Sequence, residues 1–257
     1  MANSQDKEER YMPLVRFNGA SSNLISYLNP WIPLWWSAAL PGYGHFLLGN
    51  NLTAYILVIF EFVMNTMSHL NEAIYRSMIG DIKGAKEVLD LRWFFGYIGV
   101  FVFAMYNSYS RTVENNKLYI LAYRYTQKIS FASLSTLNQN TIEKSSPIMG
   151  MFWSFITPGL GAVFTHRLPI FIFCLVTWGA TVVKSRLFEA LYYSAVGDFS
   201  RATSVLDPQW YLFVPSLLGF SMYFGYRETV IANKQFSLSQ AQYLKKAYQS
   251  NKFIKPV

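Results

Sequence analysis

One cysteine, three histidines and a sparse set of charges are spread over 257 residues. The lone Cys174 lies in an apolar run, so the chain has neither an internal disulfide framework nor a thiolate metal cluster. It reads as a small hydrophobe facing lipid or a neighbour. Charged residues make up 14% of the chain, where a soluble domain carries about 25%. With 52% hydrophobic residues and a mean hydropathy of +0.18, that shortfall points to an integral membrane protein. The start of the chain, MANSQDKEERYMPLVRF, mixes Asp6, Glu8 and Glu9 with Lys7, Arg10 and Arg16 and lacks an apolar core followed by small residues. It is not a cleavable signal peptide, and the first membrane segment is expected to direct insertion. Nucleotide-binding Gly-x-x-x-x-Gly-Lys-Ser/Thr, His-Glu-x-x-His and Gly-x-Ser-x-Gly stretches are all missing from the sequence. The expectation is a non-enzyme with no catalytic residues, no cofactor and no metal; neither His45 nor His166 is expected to bind one.

What the chain does have is apolar segments in two sets of three. Pro30–Leu48 and Pro147–Phe164 each contain a Pro-Gly break; Leu52–Met67 and Leu168–Val183 follow closely; Trp93–Tyr109 and Trp210–Tyr226 come after a polar interval. Each approaches or reaches the roughly 20 residues that cross a bilayer. The formal net charge of +8 accompanies no zinc-finger spacing or RNA-binding aromatic signature. Its positives flank the apolar segments, where they set topology or touch anionic headgroups, so nucleic acid is excluded as a partner.

A shift of 117 residues superimposes the two sets without a gap. Pro30 meets Pro147, Trp36-Ser37 meets Trp153-Ser154, and Pro41, Gly42 and Gly44 meet Pro158, Gly159 and Gly161. Glu72, Ala73, Tyr75 and Ser77 meet Glu189, Ala190, Tyr192 and Ser194. Gly80-Asp81 meets Gly197-Asp198, Val88-Leu89-Asp90 meets Val205-Leu206-Asp207, and Asn116-Lys117 meets Asn233-Lys234. Apolar segments share residues by chance, but polar residues do not recur at one fixed offset by chance. The expected fold is an all-α membrane protein built as a tandem repeat of two three-segment units. Residues 1–29 form an N-terminal tail, 30–117 the first repeat, 118–146 a basic amphipathic linker, 147–234 the second repeat and 235–257 a basic C-terminal tail.

Lysine and arginine mark the cytoplasmic side of short loops. They gather in the N-terminal tail, in the linker (Arg111, Lys117, Arg124, Lys128, Lys144) and towards the C-terminus (Arg227, Lys234, Lys245, Lys246, Lys252, Lys255), so all three read as cytoplasmic. Each repeat must then cross an even number of times. The Pro-Gly segment is the one expected to enter without crossing, as a re-entrant pair, leaving two spans per repeat and parallel copies. Six full spans with inverted repeats is the alternative. The absence of retention signals fits a bacterial plasma membrane.

Three groups of residues are candidates for function. At the breaks, Pro41 and Pro158 end the preceding helix, and Gly42, Gly44, Gly159 and Gly161 allow a tight turn or a polar backbone site at membrane depth. "PGYGHFLLG", with Gly42, Gly44, His45, Phe46 and Gly49, resembles the Gly-x-Gly-x-His stretch of the small two-helix membrane domain family. The second copy lacks the His and the last Gly. That resemblance implies a membrane module and carries over no catalytic residues. The polar intervals read as helix, Gly-Asp turn, helix on the exterior, similar to one tetratricopeptide hairpin. Glu72, Tyr75, Asp81 and Asp90, with their copies Glu189, Tyr192, Asp198 and Asp207, would form a partner or ligand surface. Thirdly, Glu61 lies about 15 Å into an apolar segment at 1.5 Å per residue, with Asn65 and His69 on the same helical face; an intramembrane carboxylate is a functional hypothesis by default. Segments Lys117 to Ile129 and Gln240 to Tyr248 are basic and amphipathic, suited to a headgroup layer.

Two functions are compatible with these features. The favoured one is a non-catalytic multi-pass scaffold or complex subunit that engages a membrane or exterior protein through its paired caps, with membrane lipids and further copies of itself as additional partners. The alternative is a small ion or solute transporter or channel with a site at the breaks and Glu61.

Overall fold

A computed structural model describes residues 15–18, 21–125, 132–134, 139–141 and 143–248. Two small antiparallel ribbons precede the helical units: β1 (Val15–Asn18) with β2 (Ser21–Leu24), Arg16 opposite Asn23, and β3 (Ala132–Leu134) with β4 (Gln139–Thr141), Ser133 opposite Asn140. All remaining regular structure among the described residues is helical.

The first half contains α1 (Trp31–Ala39), α2 (Tyr43–Leu47), α3 (Asn51–Ser68), α4 (Leu70–Met78), α5 (Ile82–Val88) and α6 (Leu91–Tyr125). The second contains α7 (Pro147–Ile156), α8 (Leu160–Val163), α9 (Leu168–Ser185), α10 (Leu187–Ala195), α11 (Phe199–Val205), α12 (Pro208–Tyr211) and α13 (Phe213–Tyr248). The helices α3, α4 and α5 have the same bounds as α9, α10 and α11 at an offset of 117 residues. The third pair differs locally: Pro208 opens a short α12, after which α13 starts afresh, while α6 runs unbroken from Leu91.

Length sorts these helices. The 18-residue α3 and α9 are long and apolar enough to cross a membrane. The pair α5 plus Leu91–Leu121, bent by 88°, raises the number to three if it counts as one span. At 1.5 Å per residue, the nine residues of α1 and the ten of α7 extend only about 14–15 Å, roughly half a hydrocarbon core. By the same rule the 35 residues of α6 and 36 of α13 extend about 50 Å, well beyond it. Both amphipathic stretches are therefore continuations of long helices rather than separate elements: α6 carries Lys117 through Tyr125, and α13 carries Gln240 through Tyr248. Residues 126–131 and 249–257, with Lys128, Lys252 and Lys255, lie outside the described residues, as does the tail from Met1 to Leu14.

The chain reverses between α1 and α2 because Leu40 leaves the helix in an extended conformation and Pro41 has no N–H to offer. Gly42 then takes φ 103°, and a Cβ there would stand 2.6 Å from the Ala54 carbonyl oxygen, so α3 packs directly against the bare backbone. Gly159 repeats the turn with φ 96° against Cys174 and Phe171 of α9. The helix pair α7–α13 crosses equally closely: a Cβ on Gly225 would lie 2.6 Å from the Gly150 carbonyl oxygen.

Between the halves runs a seam of aromatic rings. Tyr43 stacks on Phe220 at 4.0 Å, Trp36 meets the same ring edge-on, Phe46 and Tyr55 pack on Phe173, and Phe62 packs on Phe213 at 4.4 Å. This contact is one-way. The residue 117 positions before Phe220 is Phe103, 51% exposed, and the residue 117 positions after Trp36 is Trp153, 40% exposed. At these positions each half's seam residue thus has an outward-facing counterpart in the other half.

Candidate functional site

The hairpins α4–α5 and α10–α11 are built by the same local chemistry. Gly80 and Gly197 take φ 87° and 85°, the left-handed geometry that closes a helix C-terminus. Asp81 then accepts from the Gly84 amide at 2.8 Å and Asp198 from the Arg201 amide at 3.0 Å, each capping the helix that follows. Asp90 accepts from Arg92 and Trp93 amides, and Asp207 from those of Gln209 and Trp210, so these two carboxylates also serve as caps. Glu72 is held by Arg76, which donates through Nε at 3.0 Å and Nη2 at 2.7 Å and reaches Asp81 at 3.4 Å. That hydrogen bond to Glu72 holds the Arg76 guanidinium above its ordinary value. The second hairpin replaces this network with Arg201 over the Tyr193 ring at 4.4 Å, and its Glu189 and Tyr192 are exposed. Tyr75 is half-buried.

Between α4 and α5 lies an apolar groove of about 510 Å³ lined by Leu70, Ala73, Ile74, Met78, Ile82 and Leu89, among others. Met78 and Ile82 are exposed along it. In the second hairpin the positions equivalent to Ile74 and Ile82 carry exposed Leu191 and Phe199, and that equivalent to Met78 carries Ala195.

Glu61 and Asn65 are buried in α3 at the seam. Asn65 donates to Glu61 Oε1 at 2.9 Å, and the Tyr97 hydroxyl lies beside the same carboxyl group. The polar path then leaves α3. His69 does not extend it: this residue closes the helix in the left-handed region, and its half-exposed ring faces Glu72 at 3.7 Å. Instead Asn65 donates to Asn71 at 3.1 Å, and Gln209 of α12 donates to Asn65 Oδ1 at 2.8 Å while accepting from the Glu72 amide at 3.0 Å. Asn71 donates to the Gln209 carbonyl at 2.9 Å. The consecutive helices α3 and α4 are thereby joined to the distant α12 by a buried network; among the described residues Glu61 Oε2 has no hydrogen-bond partner.

At the breaks the freed backbone groups are taken up by neighbours. The Gly159 amide donates to Ser221 Oγ at 2.7 Å, the Gly161 amide to Ser154 Oγ at 2.9 Å, and Ser216 donates to the Ala39 carbonyl at 3.1 Å. Pro41, Gly42, Gly44 and Pro158 are all buried. His45, fully buried, pairs through Nε2 with Asn107 Oδ1 at 3.0 Å.

A charged cluster lies near the start of α9. Arg167 is 2% exposed and Glu228 fully buried, and they pair at 2.8 Å. Arg227 also pairs with Glu228 and donates to Ser26 at 2.9 Å. Arg227 therefore sits inside the protein, where the sequence suggested a charge flanking the membrane. Among the described residues no three His, Cys, Asp or Glu side chains gather to hold a metal ion.

Asn71, Gln209, Arg167, Arg227 and Glu228 were not singled out by the sequence reading as site residues. A signal existed at the 117-residue offset: Asn71 stands against Phe188, Gln209 against Arg92, Arg167 against Asn50, Arg227 against Ser110, and Glu228 against Arg111. A change of charge or polarity between equivalent positions marks these residues. No protein-family model, curated protein or solved structure matches the chain.

Proposed function

We propose that the chain is a non-catalytic multi-pass membrane scaffold made of two copies of one unit, which engages a partner protein through its helix-turn-helix caps. Duplication is supported by geometry recurring at one offset. Asn116 clips the Leu28 backbone, accepting from its N–H at 3.0 Å and donating to its carbonyl at 2.7 Å, and Asn233 clips Ser145 with the same two distances. His69 and Arg186, equivalent residues, both sit at φ 54°. In the proposed topology α3, α6, α9 and α13 cross the membrane. The short α1–α2 and α7–α8 pairs enter part way and return, the tails and linker lie in the cytoplasm, and both caps lie outside.

The observation that carries the functional reading is the open apolar groove of the first cap, with the charged Lys86 in its lining. It has the chemistry to accept the apolar face of an amphipathic helix. In native membranes, a photo-crosslinker at Met78 of the full chain should give one discrete protein adduct, which Ala73→Glu should abolish. Adducts with lipid alone would overturn the reading by placing the cap on the bilayer surface.

The transport reading retains one supporting observation, the unpartnered Glu61 Oε2 at the seam. Glu61→Gln preserves the bond from Asn65 in the flipped amide orientation, so a scaffold should keep its crosslinked adduct and its stability. A proton- or cation-coupled flux in proteoliposomes that this substitution abolishes would favour transport.

A further inference from the structure

We infer that the arginine cluster at the start of α9 is a binding site for a phosphate-type oxyanion. The chemistry of the cluster is unbalanced. Two guanidinium groups, Arg167 and Arg227, share one carboxylate, Glu228, leaving one positive charge in excess. Arginine cannot relieve this by losing a proton. Arg227 spends its donors on Glu228 and Ser26. Among the described residues Arg167 is engaged through Nη2 alone, in the ion pair to Glu228 Oε2, an oxygen that accepts no aligned hydrogen bond; its Nε and Nη1 are buried with no hydrogen-bond partner. The Tyr55 hydroxyl, within electrostatic reach of Arg167, is a third buried group with none.

Position adds to charge. Arg167 is the residue that opens the 18-residue α9, so the positive end of that helix faces the same region. Its guanidinium is braced over the Phe224 ring at 5.6 Å, which fixes the direction of the free N–H groups. Several donors pointing in different directions are matched by an anion with several acceptor oxygens rather than by one lone pair. The equivalent place in the first half holds Asn50, Ser110 and Arg111, so the arginine–glutamate cluster has no counterpart there. A phosphate group reaches it either as a lipid headgroup or as a free ion.

The test uses the purified full chain and reads its thermal midpoint. One arm titrates inorganic phosphate in detergent at constant ionic strength; the other compares nanodiscs of phosphatidylcholine with and without phosphatidylglycerol. A saturable rise with phosphate assigns a free ion, and a rise with phosphatidylglycerol alone assigns the headgroup. In either case Arg167→Gln and Tyr55→Phe should each weaken the half-saturating dose about tenfold, the loss of a hydrogen bond to a charged group. Tyr55→Phe keeps every charge and the ion pair, so it decides the matter should Arg167→Gln fail to fold. No saturable response to either probe overturns the inference. So does a response equal in wild type and Tyr55→Phe, which would place the binding on the basic tails.

Discussion

Gln209→Ala tests whether the buried network holds the two halves together. The Gln209 side chain makes three contacts: to the Asn65 carbonyl at 3.2 Å, to Asn65 Oδ1 at 2.8 Å, and from the Glu72 amide at 3.0 Å. Side-chain hydrogen bonds inside membrane proteins average about 0.6 kcal/mol each, so their loss costs about 2 kcal/mol. Asn65 Oδ1 keeps its bond from the Asn71 amide at 3.2 Å, so no buried acceptor is stranded and no further penalty is added. A cost of about 2 kcal/mol lowers the melting temperature by about 4–8 °C for a chain of this size. Thermal unfolding in mild detergent measures it, and a double-mutant cycle with Asn65→Ala isolates the pair. The coupling should reach about 1 kcal/mol. Additivity within about 0.3 kcal/mol, or a Gln209→Ala midpoint equal to wild type, would refute the claim that this network joins the halves.

Gly225→Ala and Gly179→Ala should have opposite signs in the same assay. The first drives a Cβ to 2.6 Å from the Gly150 carbonyl and should cost about 1–3 kcal/mol. The second meets nothing within 4 Å and should gain about 0.5–1 kcal/mol in helix propensity. Asp81→Ala and Asp198→Ala should each cost about 1 kcal/mol by losing a cap, with limited proteolysis reporting cleavage in the affected hairpin. Asn116→Ala and Asn233→Ala should expose the segments near Leu28 and Ser145 respectively to protease, each without affecting the other.

The helical elements were legible because their signals are local. The Pro-Gly breaks, the Gly-Asp turns and the 18-residue apolar stretches are each written within a few neighbouring residues. The length of α6 and α13 was less so: an apolar segment that turns basic without a breaker looks like two elements, although the backbone has no reason to stop at Tyr109. The caps at Asp81 and Asp198 followed from their position after glycine; Asp90 and Asp207 were chosen as a partner surface, and their oxygens also accept from backbone amides. Glu61 and Asn65 were visible as a pair four residues apart. Their partner Gln209 was not, because 144 residues separate it from Asn65 and only the tertiary packing brings α12 to α3. The step from Asn65 to His69 failed because a left-handed residue ends the helix there, and periodicity holds only while the helix lasts.

The clips at Asn116 and Asn233 bear on how such a chain could arise. Each fastens the strand of chain entering a unit to the helix leaving it, 88 positions later, through paired hydrogen bonds to one backbone residue. A segment whose two ends lie side by side can be copied in the gene and set down beside itself without stretching or threading the original. The joint between the copies need only be long enough to reach from one doorway to the next. On the proposed duplication, the sequence of that joint would be free to drift.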